Sequence, residues 1–367
     1  MARPRTVYRG RRCYRWILTL VLFLIAIALV ASVWLFYHLQ KYIEYDKESV
    51  KLVVPFLPER VQDDEEEPEP EYYVEVHDPV NAEVVVGATD YSSKKTTAGQ
   101  GLESIKAYYV YGDYVNASSI EYYVKKTTTE QRGAIILQLK KPDGGLCYLS
   151  GVSNVSSYGV NGKEMIDDAV AAAKESGVYM VAEISALLDT LMAERNAPIS
   201  LKDSATGFPA KNEQGAWLDP YNDGTREYIG GIIRELARLG FDEVILSNLV
   251  FPQIAGIGYS QAMSGAPDRV SAISSFAFAM REVAEEVGIK LSVKCDEASL
   301  RVGSSNNIGQ DIAIFFKAFD RVYFESSVDN IASDTTSLAG FLGSVNQNRI
   351  VPMFSGQAPE WESYVIR

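Results

Sequence analysis

The chain has 367 residues, of which 47% are hydrophobic and 23% charged, an ordinary composition for a globular protein. Its net charge of −13 argues against nucleic acid as a partner, since phosphate binding needs a basic face. The 3 cysteines are too few and too scattered for a disulfide framework or a cysteine-based zinc site, although a bridge between Cys147 and Cys295 stays open.

The first 15 residues form a basic tail without any acid, carrying Arg3, Arg5, Arg9, Arg11, Arg12 and Arg15. Residues 16–38 are predicted to form a transmembrane helix, because their apolar run is long enough to span ~30 Å of hydrocarbon. The arginines predict a cytoplasmic N-terminus and a body outside the membrane. A cleaved signal peptide is the competing interpretation, but the apolar run exceeds a usual signal core and shows no clear A-x-A site. We therefore expect a single-pass protein of the cell membrane.

Residues 39–101 are interpreted as an acidic and polar stalk. The acidic run Asp63–Glu71 is interrupted by Pro68 and Pro70 and cannot bury enough surface to fold alone. Residues 89–101 are rich in Ser, Thr, Lys and Gly and are predicted to be the last linker before the folded domain.

From residue 102 to residue 367, strand and helix patterns alternate, which predicts an α/β fold with a parallel sheet. The apolar strand runs are Ile105–Tyr111, Gly133–Leu139, Val178–Ile184, Glu243–Leu246, Lys290–Cys295, Arg321–Phe324 and Arg349–Phe354. The predicted helices between them span residues 118–127, 163–176, 225–239, 269–287, 308–319 and 337–345. A domain of this size and repeat fits a (β/α)8 TIM-like barrel.

The last unit of this barrel is predicted to be irregular or missing. Ser363–Arg367 could supply the eighth strand, but no helix fits between Phe354 and Glu360. A doubly wound open sheet is the alternative, although GVNGKE at residues 159–164 lacks the spacing of a phosphate-binding loop. We therefore expect no cofactor.

The histidines restrict the chemistry of this domain. Both of them, His38 and His77, precede residue 102, so the predicted domain has none. This excludes Ser-His-Asp and Cys-His catalysis and any His-ligated metal within it. Acid–base chemistry there would depend on carboxylates, tyrosine or lysine.

Several segments in order resemble a family of bacterial glycoside hydrolase barrels distantly related to alpha-amylase-type enzymes. They are GAIILQLKKPDGGLCYLS (133–150), VYMVAEISALLD (178–189), WLDPY (217–221), GFDEV (240–244), NIGQDI (307–312), FDRVYFESS (319–327) and IVPMF (350–354). The resemblance covers residues 105–354 and implies a TIM-like barrel directed at a carbohydrate.

The sequence departs from the family where the family carries charge. The family shows Asp, Tyr and Arg before a Phe-Pro pair, and here SNLV (247–250) precedes Phe251. The second strand usually ends in Asp-x-Lys, and here Gln138 stands before Lys140. The third strand usually carries Ala-Arg, and here Glu183 replaces the arginine. The positions expected to hold a carboxylate and its arginine partner are thus neutral or reversed.

Candidate site residues follow from strand ends and from the resemblance. Glycoside hydrolysis ordinarily needs two carboxylates, and the strand-end candidates for catalysis are Glu183, Asp296, Glu297 and Glu325. In a barrel such residues serve as often as loop caps or ion-pair partners. The substrate-binding candidates are Lys140, Asp189, Trp217, Asp219, Tyr221, Ser247, Asn248 and Gln310. For the segment 217–221, a structural turn that caps a helix is the competing interpretation.

The leading hypothesis is a membrane-anchored, extracytoplasmic protein that binds a cell-envelope or external glycan through a degenerate catalytic centre. An active glycosidase with relocated carboxylates is the first alternative. A scaffold of an envelope complex is the second, and it predicts an exposed apolar patch rather than a cleft.

Overall fold

The computed structural model describes residues 21–22, 43–46, 49–52, 96–131, 133–260, 267–342, 346–358 and 360–367. Contacts divide the chain into a unit of residues 1–81 and a unit of residues 82–367. In the first unit, Ile43–Asp46 pairs antiparallel with Ser49–Leu52. The basic tail, most of the predicted transmembrane helix and most of the stalk lie outside the described residues. Within the described part, no helix has the length and apolar character needed to cross a membrane.

Eight parallel strands of the second unit close into a barrel in which neighbours in sequence are neighbours in space. The strands are β1 Lys106–Val110, β2 Ala134–Lys140, β3 Tyr179–Ser185, β4 Glu243–Ser247, β5 Lys290–Lys294, β6 Val322–Glu325, β7 Ile350–Phe354 and β8 Tyr364–Ile366. The predicted TIM-like barrel is confirmed. The alternative of an open sheet is excluded, because β8 pairs with both β7 and β1.

The helices are α1 Ala117–Thr129, α2 Ser153–Ser157, α3 Asp167–Glu175, α4 Thr190–Arg195, α5 Asp223–Arg238, α6 Arg269–Val287, α7 Glu297–Val302, α8 Ile312–Ala318 and α9 Ile331–Leu342. Their ends follow local signals. The Asp268 side chain accepts a hydrogen bond of 2.9 Å from the Ser271 N–H and so caps α6, which ends at Gly288 with a φ of 72°. After α5, Gly240 has a φ of 96°, as expected for a residue that stops a helix.

Three predicted helices start four or more residues away from the predicted position. The helix expected from residue 163 begins at Asp167. The helix expected from residue 308 begins at Ile312, because Gln310–Asp311 pairs with Ser304–Ser305 and the Asp311 side chain caps the N–H of Ile314. The helix expected from residue 337 begins six residues earlier, at Ile331. The Asp334 carboxylate of its first turn is buried, contacts Arg301 and accepts a hydrogen bond from Ser326.

The last barrel unit is irregular, as predicted. The described residues between β7 and β8 contain no helix. The Ser363 hydroxyl accepts a hydrogen bond of 3.1 Å from the N–H of Ile105, and the Tyr364 N–H donates to the Ile105 carbonyl. These two bonds fix the closing strand beside the first one.

The barrel interior is filled by alternate strand residues, since successive side chains of a strand point to opposite faces. Its apolar layer includes Tyr109, Ile136, Val181, Ile245 and Val351. Below this layer, at the N-terminal end of the barrel, Glu243 is fully buried. Its two carboxylate oxygens accept hydrogen bonds from Arg321, Tyr179 and Tyr323. The N-terminal end is therefore closed by a fully partnered ion pair.

Candidate functional site

A cleft of about 480 Å³ lies at the C-terminal end of the barrel, where barrel enzymes carry their chemistry. Its walls come from strand ends around the barrel, because the last inward-facing residue of each strand projects above the apolar layer. The strand-end residues that line it are Gln138, Glu183, Ser247, Lys294, Glu325 and Arg367. Tyr109, Tyr111, Trp217, Asn248, Val250, Asp296 and Gln310 also line the cleft.

Glu183 is the most unusual of these residues. Its exposed fraction is 3%, and one oxygen, Oε2, is buried without any hydrogen-bond partner. The carboxylate lies beside the Tyr109 hydroxyl and acts on its ionisation. Burial first, and then the charge of Glu183, raise the pKa of Tyr109 far above its usual value. The phenol therefore keeps its proton beside the carboxylate, and the protein supplies no hydrogen-bond donor to Oε2.

Glu325 lies in a different environment, because two cations converge on it. Lys294 Nζ lies 2.9 Å and Arg367 Nη1 lies 2.5 Å from the same oxygen, Oε1. Burial acts to raise the pKa of Glu325, but the hydrogen bonds and charges of Lys294 and Arg367 hold it below its usual range. Glu325 is therefore an ionised carboxylate whose charge is balanced within the cleft wall.

The positions at which the sequence is expected to depart from the family pattern face the cleft. Gln138, Ser247, Asn248 and Val250 line it as neutral residues. The Gln138 Oε1 accepts a hydrogen bond of 3.0 Å from the N–H of Gly112, and Asn248 Nδ2 donates to the Ser185 hydroxyl at 2.9 Å. Asn248 has a φ of 51°, a left-handed conformation that asparagine tolerates better than most residues. The ends of β2 and β4 thus offer amide and hydroxyl groups to a ligand.

Asp296, Trp217 and Gln310 complete the wall on the loops. Asp296 is exposed, and its N–H donates to the Gln310 Oε1 at 3.2 Å. Gln310 Nε2 donates in turn to the Leu249 carbonyl. Trp217 is 1% exposed and reaches Asn212 with its indole N–H. Its ring therefore contributes mainly to the packing of the wall.

Lys140 and Asp189, both predicted to bind substrate, do not line the cleft. They form an ion pair of 2.8 Å with fully buried side chains, and Lys140 Nζ also donates to the Ser185 carbonyl. The cause is a shift of register between Gln138 and Lys140 on β2, which breaks the strict alternation of inward residues. Asp189 in addition accepts hydrogen bonds from Tyr228 and from the N–H of Met192 at the start of α4. Both residues hold the loop behind the cleft.

Asp219 and Tyr221 also lie outside the cleft lining, in the turn before α5. The Asp219 oxygens accept hydrogen bonds from the N–H groups of Tyr221 at 2.8 Å and Ser260 at 2.6 Å. The Tyr221 ring packs edge-on against Tyr259 and lies under the Arg226 guanidinium. Asp219 and Tyr221 therefore have a structural role in this turn and not a place in the cleft. This agrees with the competing interpretation of segment 217–221 as a structural turn.

Glu297, the cysteine pair and a possible metal site are the remaining features considered from the sequence. Glu297 begins α7, directly after the cleft residue Asp296, and its side chain is outside what the structure describes. Cys147 and Cys295 are free, so the bridge between them is not formed. In the described part of the chain, histidine, cysteine, aspartate and glutamate side chains form no group of three that could hold a metal ion.

Two important residues of the cleft were missed at the level of sequence, Tyr109 and Arg367. The signal was available, because Ala107 and Tyr109 alternate inward on β1, and Arg367 follows Val365 with the same spacing on β8. The Arg367 guanidinium lies 5.8 Å and 5.7 Å from the ring centroids of Tyr109 and Tyr111. One strand-end arginine thus joins the Glu325 side of the cleft to its tyrosines.

The barrel resembles solved structures. The glycoside hydrolase domain of PgaB (BpsB) from Bordetella bronchiseptica has 13% identity and a TM-score of 0.53, covering 72% of this chain and 94% of that chain. A hypothetical protein from Ruminiclostridium thermocellum has 22% identity and a TM-score of 0.45 over 50% of this chain and 95% of its own. A GH20 exo beta-N-acetylglucosaminidase from Vibrio harveyi has 12% identity and a TM-score of 0.48, over 69% of this chain and 41% of that chain.

At 13% identity, the likeness to the Bordetella domain concerns the fold. Among curated proteins, none matches the chain. A family described as "Putative glycosyl hydrolase domain" matches residues 107–323, from the first strand of the barrel into the sixth. The chain therefore belongs to this glycosyl hydrolase domain family.

Proposed function

We propose that the chain is a membrane-anchored glycan-binding protein whose barrel cleft holds a carbohydrate without hydrolysing it. The observation that carries this proposal is the neutral lining at the ends of β2 and β4. There, Gln138, Ser247 and Val250 take the places of the charged residues that the family resemblance implies, and all of them face the cleft.

The composition of the cleft supports a carbohydrate as its ligand. Sugar sites combine apolar and aromatic surface with a few convergent polar groups. Here Tyr109 and Tyr111 stand beside Gln138, Glu183 and the neutral groups of β4. The free oxygen of Glu183 can accept a hydrogen bond from a sugar. Such a cleft favours ligand binding over the scaffold alternative, which needs an apolar patch.

The state of Glu325 supports binding without turnover. A glycosidase needs one carboxylate free to act as nucleophile or base and a second that donates a proton. Glu325 is held on one oxygen by both Lys294 and Arg367, so its negative charge is already compensated. Compensation of this kind lowers its nucleophilicity and keeps it deprotonated, which also prevents it from acting as the acid.

An active glycosidase remains the second candidate, on one specific observation. Glu183 and Glu325 line the same cleft in unlike environments, with Glu183 3% exposed and the Glu325 side chain 56% exposed. Two carboxylates in unlike environments are the usual arrangement for an acid and a nucleophile. Asp296, on the same cleft, is a further partner for Glu183 in this mechanism.

For the cellular location, we propose a single-pass anchor at residues 16–38 with the barrel outside the membrane. The support is the run of apolar residues behind a tail rich in arginine. A protein placed in this way would meet cell-envelope or external glycans. Fusion of a reporter enzyme to either end of the chain, assayed in intact cells, would show which end is exported.

The experiment for the cleft is a glycan-array screen of the purified full chain, followed by an assay for released reducing ends on every hit. Binding without release is the expected result. If the wild-type chain releases reducing ends and both Glu183→Gln and Glu325→Gln lose this activity, the protein is a glycosidase instead. A Glu213→Gln variant removes the same charge from an exposed residue outside the cleft lining and serves as the matched control.

A further inference from the structure

We infer that the ligand of the cleft carries a positive charge, and that it is a glycan with a free, non-acetylated amino group whose ammonium binds Glu183. The inference rests on the proposed function and narrows it from carbohydrates in general to amino sugars. Its starting point is the charge balance around the buried carboxylates of the barrel.

Buried carboxylates elsewhere in the described part of the chain are satisfied within the protein. Asp189, Glu243, Asp320 and Asp334 each contact a lysine or arginine. Glu235 accepts hydrogen bonds from Tyr148, Ser150 and the N–H of Gly151. Asp219 accepts two from backbone N–H groups. The protein therefore supplies two or more donors, or a cation, wherever it buries a carboxylate.

Glu183 is the exception to this pattern. Among the described residues, it holds the one buried carboxylate oxygen that has no hydrogen-bond partner. It takes part in no ion pair there, and the group beside it that its charge affects most clearly is the neutral phenol of Tyr109. A buried charge without a counter-charge is strongly unfavourable. Because Glu183 lines the cleft, a ligand can provide both the missing charge and the missing hydrogen bond.

The cations of the cleft do not provide this charge. Lys294 and Arg367, the lysine and the arginine among its lining residues, both contact Oε1 of Glu325. Counted at formal charges, the three carboxylates of the lining, Glu183, Asp296 and Glu325, exceed its two cations by one.

A neutral sugar would satisfy the hydrogen bond but leave the charge uncompensated. A hydroxyl group, or the N–H of an acetamido group, donates one hydrogen bond and carries no charge. An ammonium donates up to three hydrogen bonds and forms a charge-assisted bond to the carboxylate, which is stronger than a neutral one. The hydroxyl of Ser247 and the amide of Asn248, which also line the cleft, are suitable acceptors for the remaining protons.

The test compares sugars that differ at one position only. The full chain is probed with oligosaccharides of glucose, glucosamine and N-acetylglucosamine that share the same linkages and length, across several linkages. The glucosamine chain is expected to bind about tenfold more tightly than either neutral chain, or better. In Glu183→Gln this preference should disappear, because the amino chain and the two neutral chains then meet the same uncharged amide. The control Glu213→Gln should keep the full preference, which excludes a general effect of net charge.

Each outcome decides between the inference and the proposed function. Equal affinity for the amino and neutral chains, or a preference for the acetylated chain, would overturn the inference and leave glycan binding intact. Retention of the amine preference in Glu183→Gln would also overturn it, because the charge would then be recognised elsewhere. Binding to none of the sugars on a full array would remove the proposed function and the inference together. The comparison on the unmodified chain decides the question even if a variant fails to fold.

Discussion

Arg367 Nη1 lies 2.5 Å from Glu325 Oε1, so the residue that follows the last barrel strand balances a carboxylate of the sixth strand. Lys294 reaches the same oxygen from β5. The cleft therefore has one wall where two cations meet a single carboxylate and, at Glu183, one buried carboxylate that forms no ion pair with any described residue.

The first prediction concerns the ionisation of Glu325. Replacing Arg367 by Gln removes one of the two cations that lower its pKa, so the pKa should rise toward the ordinary glutamate value of about 4.3. A folded-state pKa below the ordinary glutamate value stabilises the fold at pH values above that ordinary pKa, and this stabilisation is lost as the pH falls. Arg367→Gln should therefore lower the free energy of unfolding at neutral pH and leave it unchanged at low pH. An NMR titration of labelled glutamate carboxyls measures the shift directly. An unchanged pKa would mean that the contact with Arg367 is not formed in solution.

The second prediction concerns the buried pair behind the cleft. Lys140→Met leaves the Asp189 carboxylate buried without its cation and should lower the free energy of unfolding by roughly 3–5 kcal/mol, measured by urea denaturation. Lys211→Met breaks an exposed pair with Glu194 at 3.3 Å and should change stability by less than about 1 kcal/mol. Similar effects of the two changes would contradict the buried geometry.

The third prediction uses two glycines with the same backbone conformation. Gly309, in the segment NIGQDI, has a φ of +75°, and a Cβ there would lie 2.5 Å from the Arg269 carbonyl oxygen. Gly256 has a φ of +66°, but a Cβ there would meet nothing within 4 Å. Both alanine variants suffer the left-handed strain of about 1–2 kcal/mol. Gly309→Ala should be destabilised by roughly 1–3 kcal/mol more, because backbone must move. Equal unfolding midpoints would show that the close approach to α6 is absent.

The fourth prediction concerns the thiol of Cys147. Burial, partly offset by the charge of Lys141, raises its pKa to about 11. Alkylation of the folded chain at Cys147 should therefore keep accelerating from neutral pH to above pH ~9, where an ordinary thiol with a pKa of about 8.5 levels off. Lys141→Met should slow the reaction further, since it removes the charge that favours the thiolate. A plateau near pH ~8.5, seen by mass spectrometry of the labelled peptide, would contradict the burial.

Much of the fold could be predicted from the sequence, because its signals are local. Apolar runs predict buried strands such as Gly133–Leu139. Periodicity and capping residues predict helices such as Arg269–Val287. The helix before Gly240 also ended where glycine permits the left-handed turn. Even the irregular last unit followed from the absence of a helical pattern before Ser363.

The site was predicted less completely, because its geometry depends on register and on distant partners. Strand-end reasoning placed Glu183, Glu325 and Ser247 at the cleft correctly. It did not identify Asp189 as the ion-pair partner of Lys140, since a shift in register on β2 cannot be seen in the sequence. It missed Arg367, since the importance of this residue depends on β8 lying next to β1 and on Glu325 from β6.

Calorimetric titration of the best array glycan into the full chain, with product analysis of the same sample after prolonged incubation, tests the central claim most directly. The account predicts saturable binding, a loss of affinity in Glu183→Gln and an unchanged glycan at the end. A glycan cleaved in the wild-type sample but intact in Glu183→Gln would contradict it, and would show that this barrel has an active centre at the same carboxylate.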